Sequence, residues 1–171
     1  MAIIFIPKDN KRIEDNAQIK EFLQKRGVFF DNWPTLAVKD SDDMETIIEK
    51  YKPYLDPYMA ANGYQVADVI NIHEKTENYA ALKAKFLAEH THTEDEVRYF
   101  IDGEGHFWFH LENGEVFDVL CQKGDLISVP AGTKHWFDAG EKPHVKVIRI
   151  FIDMSGWVPH YTNSNIEKDY Q

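Results

Sequence analysis

The sequence predicts a mainly β protein, an antiparallel β-barrel or jelly roll with a few α-helices on its outside. Two observations support this fold class. From Tyr64 onward, short apolar runs alternate with turns that contain glycine, a pattern typical of strands that close into a barrel. Before Tyr64, apolar residues recur mostly at helical spacing. The chain of 171 residues has the length of one domain.

The first part of the chain predicts one strand and two helices. Residues 2–6 form a short apolar strand, and a helix follows, marked by Ile19, Phe22 and Leu23 and ending at Gly27. Asp42, with Glu45 three residues later, is predicted to cap the second helix. The apolar face of that helix is formed by Met44, Ile47, Ile48 and Tyr51.

The remaining elements are predicted to build the barrel. A short helix is expected near Tyr79, Leu82 and Phe86, and strands at residues 115–121 and 125–129. Residues 102–105 and 112–114 both carry the glycine signals of hairpin turns. We therefore expect one domain, residues 1–171, in which the strand and helices of about residues 1–63 pack on a barrel of about residues 64–160.

Composition and charge exclude several classes of protein. Hydrophobic residues make up 43% of the chain, which excludes a disordered one. With 29 acidic against 19 basic side chains and no basic stripe, neither nucleic acid nor an anionic membrane is an expected partner. No segment approaches the ~20 apolar residues of a membrane span. The apolar run within residues 1–7 is too short for a signal peptide and has no basic leader before it.

The single cysteine is expected to be structural. Cys121 lies in a mixed apolar run that predicts a strand, and no intramolecular disulfide is possible. The sequence places no activating base beside this thiol, so core packing is a better interpretation than a nucleophilic role.

Three histidines and a glutamate have the spacing of a metal site on neighbouring strands. His90 and His92 project to the same side of an extended strand, because side chains alternate faces. Glu96 and Arg98 share that parity if the strand resumes near Glu96. His135 follows a buried strand and a turn with proline and glycine, and the fold must bring it to the others. These four ligands predict a bound metal ion.

The ligand types favour a catalytic ion. Three imidazoles and one carboxylate, without a thiolate, suit a divalent transition ion better than a structural zinc. Iron(II), nickel(II) and manganese(II) usually take six ligands, so a set of four leaves two adjacent positions for water, substrate or oxygen. We expect one ion in each chain.

These segments resemble the paired motifs of the cupins. The first motif is matched by His90, His92, Glu96 and Gly103, and the second by Gly124, Pro130, Gly132 and His135. Ala84 and Ala139 stand where the motifs usually have glycine and asparagine, but neither is a ligand position. The resemblance implies a cupin jelly-roll antiparallel β-barrel with a few peripheral α-helices.

Longer stretches resemble the acireductone dioxygenases of the bacterial type. They comprise residues 89–99, 124–138 and 156–158, and the likeness extends over nearly the whole chain. It implies a cytosolic enzyme of methionine salvage that cleaves 1,2-dihydroxy-3-keto-5-methylthiopentene with O2. In that family Fe(II) gives 4-methylthio-2-oxobutanoate and formate, whereas Ni(II) gives methylthiopropionate, formate and CO.

Further residues are candidates for the substrate pocket. Arg98 shares the inward face of Glu96 and can pair with an anionic enediolate; the alternative is a salt bridge to a nearby carboxylate such as Glu94 or Asp95. Three aromatic residues are candidates for an apolar wall, with core packing as the alternative. They are Phe86, Phe137 and Trp157.

The other polar residues near the motifs receive lesser roles. His106 and His110 flank Trp108, but no acidic partner stands at ligand spacing, so we expect surface or supporting histidines and no second metal. Glu89 or Glu94 is a candidate to orient a ligand imidazole by accepting its free N–H. No role is assigned to His73, His144 or His160.

The same ligand quartet would serve other functions. Alternatives are another metal-dependent cupin dioxygenase, an oxalate-degrading enzyme, a sugar-phosphate isomerase that consumes no oxygen, and a non-catalytic cupin that binds a small molecule. The expected partners are a small-molecule acireductone and O2. We expect a monomer or small homo-oligomer.

Overall fold

A computed structural model describes residues 1–153, 155 and 158–171. In this part of the chain, eleven antiparallel strands form one connected sheet, with α-helices outside it, which confirms the predicted fold class. The strands are β1 Ile3–Ile6, β2 Lys11–Ile13, β3 Phe29–Asn32, β4 Val66–His73, β5 His90–Thr91, β6 Glu96–His110, β7 Val116–Gln122, β8 Asp125–Val129, β9 Lys134–Asp138, β10 His144–Phe151 and β11 His160–Tyr161. The helices are α1 Asn16–Gln24, α2 Met44–Asn62 and α3 Tyr79–Leu87. Within the described residues, no helix is both long and apolar enough to cross a membrane.

Strand β6 joins the two halves of the barrel. Its first residues pair with β8 and β10, and residues from Glu104 to His110 pair with β7 and β9. The hairpin predicted at residues 102–105 is therefore wrong, because β6 continues straight through it. Gly103 adopts a φ of 70°, and a Cβ there would lie 1.8 Å from the backbone oxygen of His144. This glycine permits a close approach of two strands instead of a chain reversal.

A bulge in β6 changes which residues face the interior. Val147 pairs with Phe100 and Lys146 with Asp102, so Ile101 is an extra residue without a partner in the register. Before the bulge, Phe100 belongs to the core between the sheets, whereas after it Phe107 and Phe109 do. Because one inserted residue exchanges the two faces of a strand, the interior positions change from even to odd.

Other predicted elements are confirmed with small shifts. The turn at residues 112–114 joins β6 to β7, with Gly114 at a φ of 85°. The strands predicted at 115–121 and 125–129 are β7 and β8, and the short helix is α3. Cys121 is buried in the core between the sheets, where burial raises its thiol pKa well above the ordinary value.

The first 63 residues both cover the barrel and extend it. Strand β1 pairs with β7, and β3 pairs with β8. Helix α1 lies where predicted, but the cap of α2 is Asp43, whose side chain accepts from the Thr46 amide at 2.8 Å. The predicted cap, Asp42, instead binds Lys50 at 2.8 Å.

Helix α2 encloses a second core on the outer face of β6. Ile47 and Tyr51 are buried there as predicted, while Met44, assigned to the same face, is 49% exposed at the start of the helix. The buried partners in the sheet are Val97, Tyr99, Ile101, Leu126, Ile148 and Ile150. With the odd residues of early β6 directed at α2, Glu96 and Arg98 are left on the opposite, inner face.

Candidate metal centre

The fold brings the four predicted ligands together. His90 lies on β5, directly opposite His135 on β9, while Glu96 opens β6 and His92 precedes it. One possible ligand atom from each residue lies within 4.8 Å of the others, and all four residues are buried. Within the described residues, this is the one group of three or more histidine, cysteine or acidic side chains that meets this distance.

Backbone carbonyls orient the three imidazoles. Nδ1 lies 2.7 Å from the Ala88 oxygen in His90 and 2.8 Å from the Thr133 oxygen in His135. Nδ1 of His92 lies 3.1 Å from the Val158 oxygen. A carbonyl can only accept, so each Nδ1 carries a proton and each Nε2 offers a lone pair to the site. Glu89 and Glu94, predicted as orienting groups, do not have this role.

The donor set fits a divalent cation. The Oε2 atom of Glu96 lies 2.9 Å from Nε2 of His92 and 2.8 Å from Nε2 of His135. Lone pairs would repel one another at these distances unless a positive charge stood among them. A protonated His90 is disfavoured, since burial first and neighbouring His135 second lower its pKa to about 4. Burial would raise the pKa of Glu96, but Arg98 and His135 hold it well below its ordinary value, so the carboxylate is ionised.

Arg98 contacts the ligand carboxylate itself. Its Nη2 lies 2.6 Å from Oε1 of Glu96, and its side chain is largely buried. Burial lowers the pKa of Arg98 to about 10, against the opposing effect of Glu96, so the guanidinium remains charged at neutral pH. The predicted alternative, a salt bridge to a nearby carboxylate, is therefore present, with Glu96 as the partner. The two carboxylates named as examples bind elsewhere: Asp95 accepts from the Ala131 amide, and Glu94 lies 3.4 Å from the Ser155 hydroxyl.

A cavity of about 380 Å³ adjoins the ligands. Its wall includes His90, His92, Glu96 and Arg98. Two predicted aromatic residues, Phe86 and Phe137, also line it, with ring centroids 6.2 Å apart and nearly perpendicular. The third, Trp157, lies outside the described residues.

Several cavity residues escaped the sequence analysis. Ile70, Ile72, Val145, Val147 and Arg149 line the cavity from β4 and β10. Val145, Val147 and Arg149 share one face of a strand by alternation. The sequence alone does not indicate which face of β10 lies toward the metal ligands. Arg149 forms a two-point ion pair with Asp68, at 2.8 and 2.6 Å.

The β6 bulge places the other two histidines of that strand on the outside of the barrel. His106 contacts Asp118 and His110 contacts Glu89, each through Nδ1 at 2.7 Å. Both act as supporting histidines outside the metal group, as expected. Their acidic partners are distant in sequence: Asp118 lies on β7, and Glu89 immediately precedes β5. Asp118 pairs in register with Trp108, between the two histidines.

The antiparallel jelly roll, with ligands from both motif segments converging at one end, defines a metal-binding cupin. The model of the ARD/ARD' family matches residues 2–159. The chain belongs to the ARD/ARD' family.

Individual relatives agree with this assignment. The chain is 53% identical over 172 residues to an acireductone dioxygenase of Picosynechococcus sp., covering 100% of this chain and 98% of that protein. It is 49% identical over 156 residues to an acireductone dioxygenase of Granulibacter bethesdensis, covering 91% and 87% of the two chains. Among solved structures, it resembles an acireductone dioxygenase from Bacillus anthracis with a cadmium ion in its active centre. That match has a TM-score of 0.85 and 36% identity, and covers 94% of this chain and 98% of that one.

Proposed function

We propose that this chain is an acireductone dioxygenase, which cleaves 1,2-dihydroxy-3-keto-5-methylthiopentene with O2. The observation that carries the proposal is the buried convergence of His90, His92, Glu96 and His135 at the wall of a cavity that also contains Arg98. Family membership and the names of the relatives support the same substrate. The four side chains would hold one Fe(II) or Ni(II) ion per chain.

The bound ion would supply a Lewis acid and a template for neighbouring substrate oxygens. Arg98 would offset the negative charge of the enediolate, because its guanidinium is charged, buried and already anchored to Glu96. The backbone carbonyls that accept from each Nδ1 keep every Nε2 lone pair directed into the site. The protein's contribution is thus a fixed donor set beside a fixed cation.

The cavity suits the remainder of the substrate. Its volume of about 380 Å³ lies in the range of small-molecule sites. Phe86 and Phe137 form an aromatic wall that would bury the methylthio tail and exclude water. We assign the same role to Trp157 on the sequence resemblance.

The metal would determine the products. With Fe(II), substrate and O2 give 4-methylthio-2-oxobutanoate and formate, and with Ni(II) they give methylthiopropionate, formate and CO. Both product sets contain all the atoms of the substrate and O2. The keto-acid route would serve methionine salvage in the cytoplasm. We propose a single domain, residues 1–171, acting as a monomer or small homo-oligomer.

Oxygen uptake and product identification test this function. Metal-free protein is loaded separately with Fe(II) or Ni(II) and supplied with the acireductone, oxalate, a flavonol or cysteine. We expect oxygen consumption with the acireductone alone, formate from both forms, and CO from the nickel form. The Glu96→Gln variant should be inactive, and His144→Asn, at an exposed histidine, should behave as the unaltered protein.

Other results would favour the alternatives. Turnover of oxalate or another of the offered substrates would indicate a different cupin enzyme, and conversion without oxygen consumption would indicate an isomerase. Tight binding of the acireductone without turnover by any metal form would indicate a binding protein.

A further inference from the structure

Glu89 is a buried carboxylate adjacent to a ligand, but it faces away from the metal centre. It is 2% exposed, and its side chain accepts three hydrogen bonds. The donors are His110 at 2.7 Å, the Thr162 hydroxyl at 2.6 Å and the Ser164 hydroxyl at 2.9 Å. Both carboxylate oxygens are therefore satisfied, as burial of a charge requires.

The backbone of Glu89 is held by the same region. Its carbonyl accepts from the Thr162 amide at 3.1 Å, and its amide lies 3.4 Å from Oε2 of the buried Glu167. Four of these five hydrogen bonds come from residues 162–167 and the fifth from the end of β6. One residue thus joins the ligand strand β5, the strand β6 and the segment 158–171.

Segment 158–171 contributes directly to the metal centre. The Val158 carbonyl orients His92, and Pro159 lines the cavity. Strand β11 pairs Tyr161 with His90, and the Tyr161 ring lies 5.9 Å from the His90 ring. Releasing this segment would remove the carbonyl that accepts from His92 and the Tyr161 ring that packs near His90.

The outer part of the segment has a separate attachment. Tyr170 lies against Trp108 and Trp136, with ring centroids 5.3 and 6.1 Å away. These rings are on the outer face of the barrel and hold the far end of the segment. The stretch nearest the ligands is held by Glu89, by the pairing of β11 with β5 and by the Tyr161 hydroxyl, which donates to the Lys85 carbonyl at 3.2 Å. Among these contacts, those of Glu89 are the buried charged ones.

We propose that Glu89 is a positioning residue for the metal centre, acting through segment 158–171, which it binds to the ligand strand. The proposal rests on the metal-site assignment of the proposed function, but not on the identity of the substrate. Its physical basis is that groups which orient ligand imidazoles set the metal affinity of such sites, typically by about 10–100-fold.

The test compares Glu89→Ala with Glu115→Ala. Glu115 is a useful control, because it also forms a partly buried ion pair between separate elements, with Arg26 at 2.6 Å, away from the cavity. Two quantities are measured: the Co(II) affinity of metal-free protein by chelator competition, and the amide hydrogen exchange of residues 158–164.

We expect Glu89→Ala to weaken Co(II) binding by about 10–100-fold and to remove the protection of the Thr162 amide. Glu115→Ala should change neither, and Glu89→Gln should lie between the unaltered protein and Glu89→Ala.

Two results would overturn the proposal. One is unaltered Co(II) affinity in a folded Glu89→Ala protein; the other is weakened affinity with the Thr162 amide still protected. If Glu89→Ala does not fold, the double variant Thr162→Val with Ser164→Ala is measured instead. It removes the two hydroxyl groups that donate to Glu89 and leaves the carboxylate in place, so the same two changes are expected. These measurements involve no turnover. Loss of the proposed function would appear separately, as unaltered protein that binds metal and consumes no oxygen with the acireductone.

Discussion

Arg98 and Glu96 form a buried ion pair in which the carboxylate has two different tasks. Its Oε1 accepts from the Arg98 guanidinium at 2.6 Å, and its Oε2 faces His92 and His135. The Glu96 carboxylate therefore fixes the position of the Arg98 guanidinium, which would contact the substrate. An arginine placed in this way has no freedom to move when an anion binds, so little reorganisation is needed.

The first prediction concerns the shape of that cation. Arg98→Lys retains the charge but loses the planar set of donors, so one ammonium group cannot reach both Glu96 and an enediolate. We expect kcat/KM to fall by about 10²-fold, comparable to the loss of one transition-state donor, while Co(II) affinity changes by less than about 3-fold. Steady-state kinetics and chelator competition measure the two effects. Arg26→Lys is the matched control, since Arg26 makes a two-point contact with Glu115 outside the cavity; unaltered kinetics in Arg98→Lys would contradict the role of Arg98.

The second prediction concerns stabilisation by the metal. An ion that binds only the folded state at 100 times its Kd raises the free energy of unfolding by about 2.7 kcal/mol. For a chain of this size that corresponds to a rise in Tm of about 5–10 °C between chelator-treated and Ni(II)-loaded protein. His135→Ala should show no such difference, and His144→Ala, with an exposed ring, should retain it. A full shift in His135→Ala would show that the ion binds elsewhere.

The third prediction compares two glycines to separate the cost of a steric collision between strands from the cost of a positive φ. Gly103 and Gly140 both have positive φ, at 70° and 82°, but only Gly103 lies against another strand. Alanine at Gly140 should cost about 1–2 kcal/mol of unfolding free energy for the left-handed conformation alone. Alanine at Gly103 adds a collision with the His144 backbone and should cost at least about 2 kcal/mol more. Denaturant unfolding of the two variants measures this difference, and equal losses would mean that β6 and β10 can separate at no cost.

The fourth prediction is a pH dependence on the outer face of the barrel. The hydrogen bond that the His106 ring donates to Asp118 raises the pKa of His106 above its ordinary value, with Asp138 and Glu104 acting in the same direction. Because the folded-state pKa is raised, this stabilisation is complete below about pH 6.5 and is lost as the pH rises through the folded value. His106→Asn should therefore destabilise the protein more at about pH 6 than at about pH 9, by up to about 1 kcal/mol for a partly exposed pair.

Denaturant midpoints at the two pH values give the measurement. The Asp118 pKa is raised by burial, against the contact with His106, so Asp118→Asn provides a second comparison. In an Asp118→Asn background the pH dependence of the His106 substitution should largely disappear. If His106→Asn lowered the unfolding free energy more at about pH 9 than at about pH 6, the pH dependence would have the opposite sign, and the ion pair would not be the stabilising interaction.

The sequence predicted the elements and ligands whose signals are local. His90 and His92 are two residues apart at the start and just past the end of β5, Gly114 is a turn residue, and Asp125–Val129 is a short, mostly apolar run that is fully buried. Each is determined by neighbours in the chain. The prediction that Arg98 faces the interior is confirmed, because Arg98 lies two residues after Glu96 on a part of β6 without a bulge and so shares its face.

Features that depend on pairing between distant strands were not predictable. The Ile101 bulge exchanges the faces of β6 and is visible only in its register with β10. The partners of His106 and His110 come from β7 and from the residue before β5, and the acceptor of His92 comes from Val158. A strand's periodicity gives the face that a side chain shares with its neighbours, not what the fold places opposite it.

The orientation of the imidazoles by peptide carbonyls has a consequence for mutational surveys of this protein. Any side chain placed at Ala88, Thr133 or Val158 leaves the carbonyl that fixes the neighbouring ring in the chain. A scan of amino-acid substitutions would therefore score these positions as tolerant and overlook their contribution. Chemical synthesis that replaces the carbonyl itself, for instance with a thioamide, would reveal it.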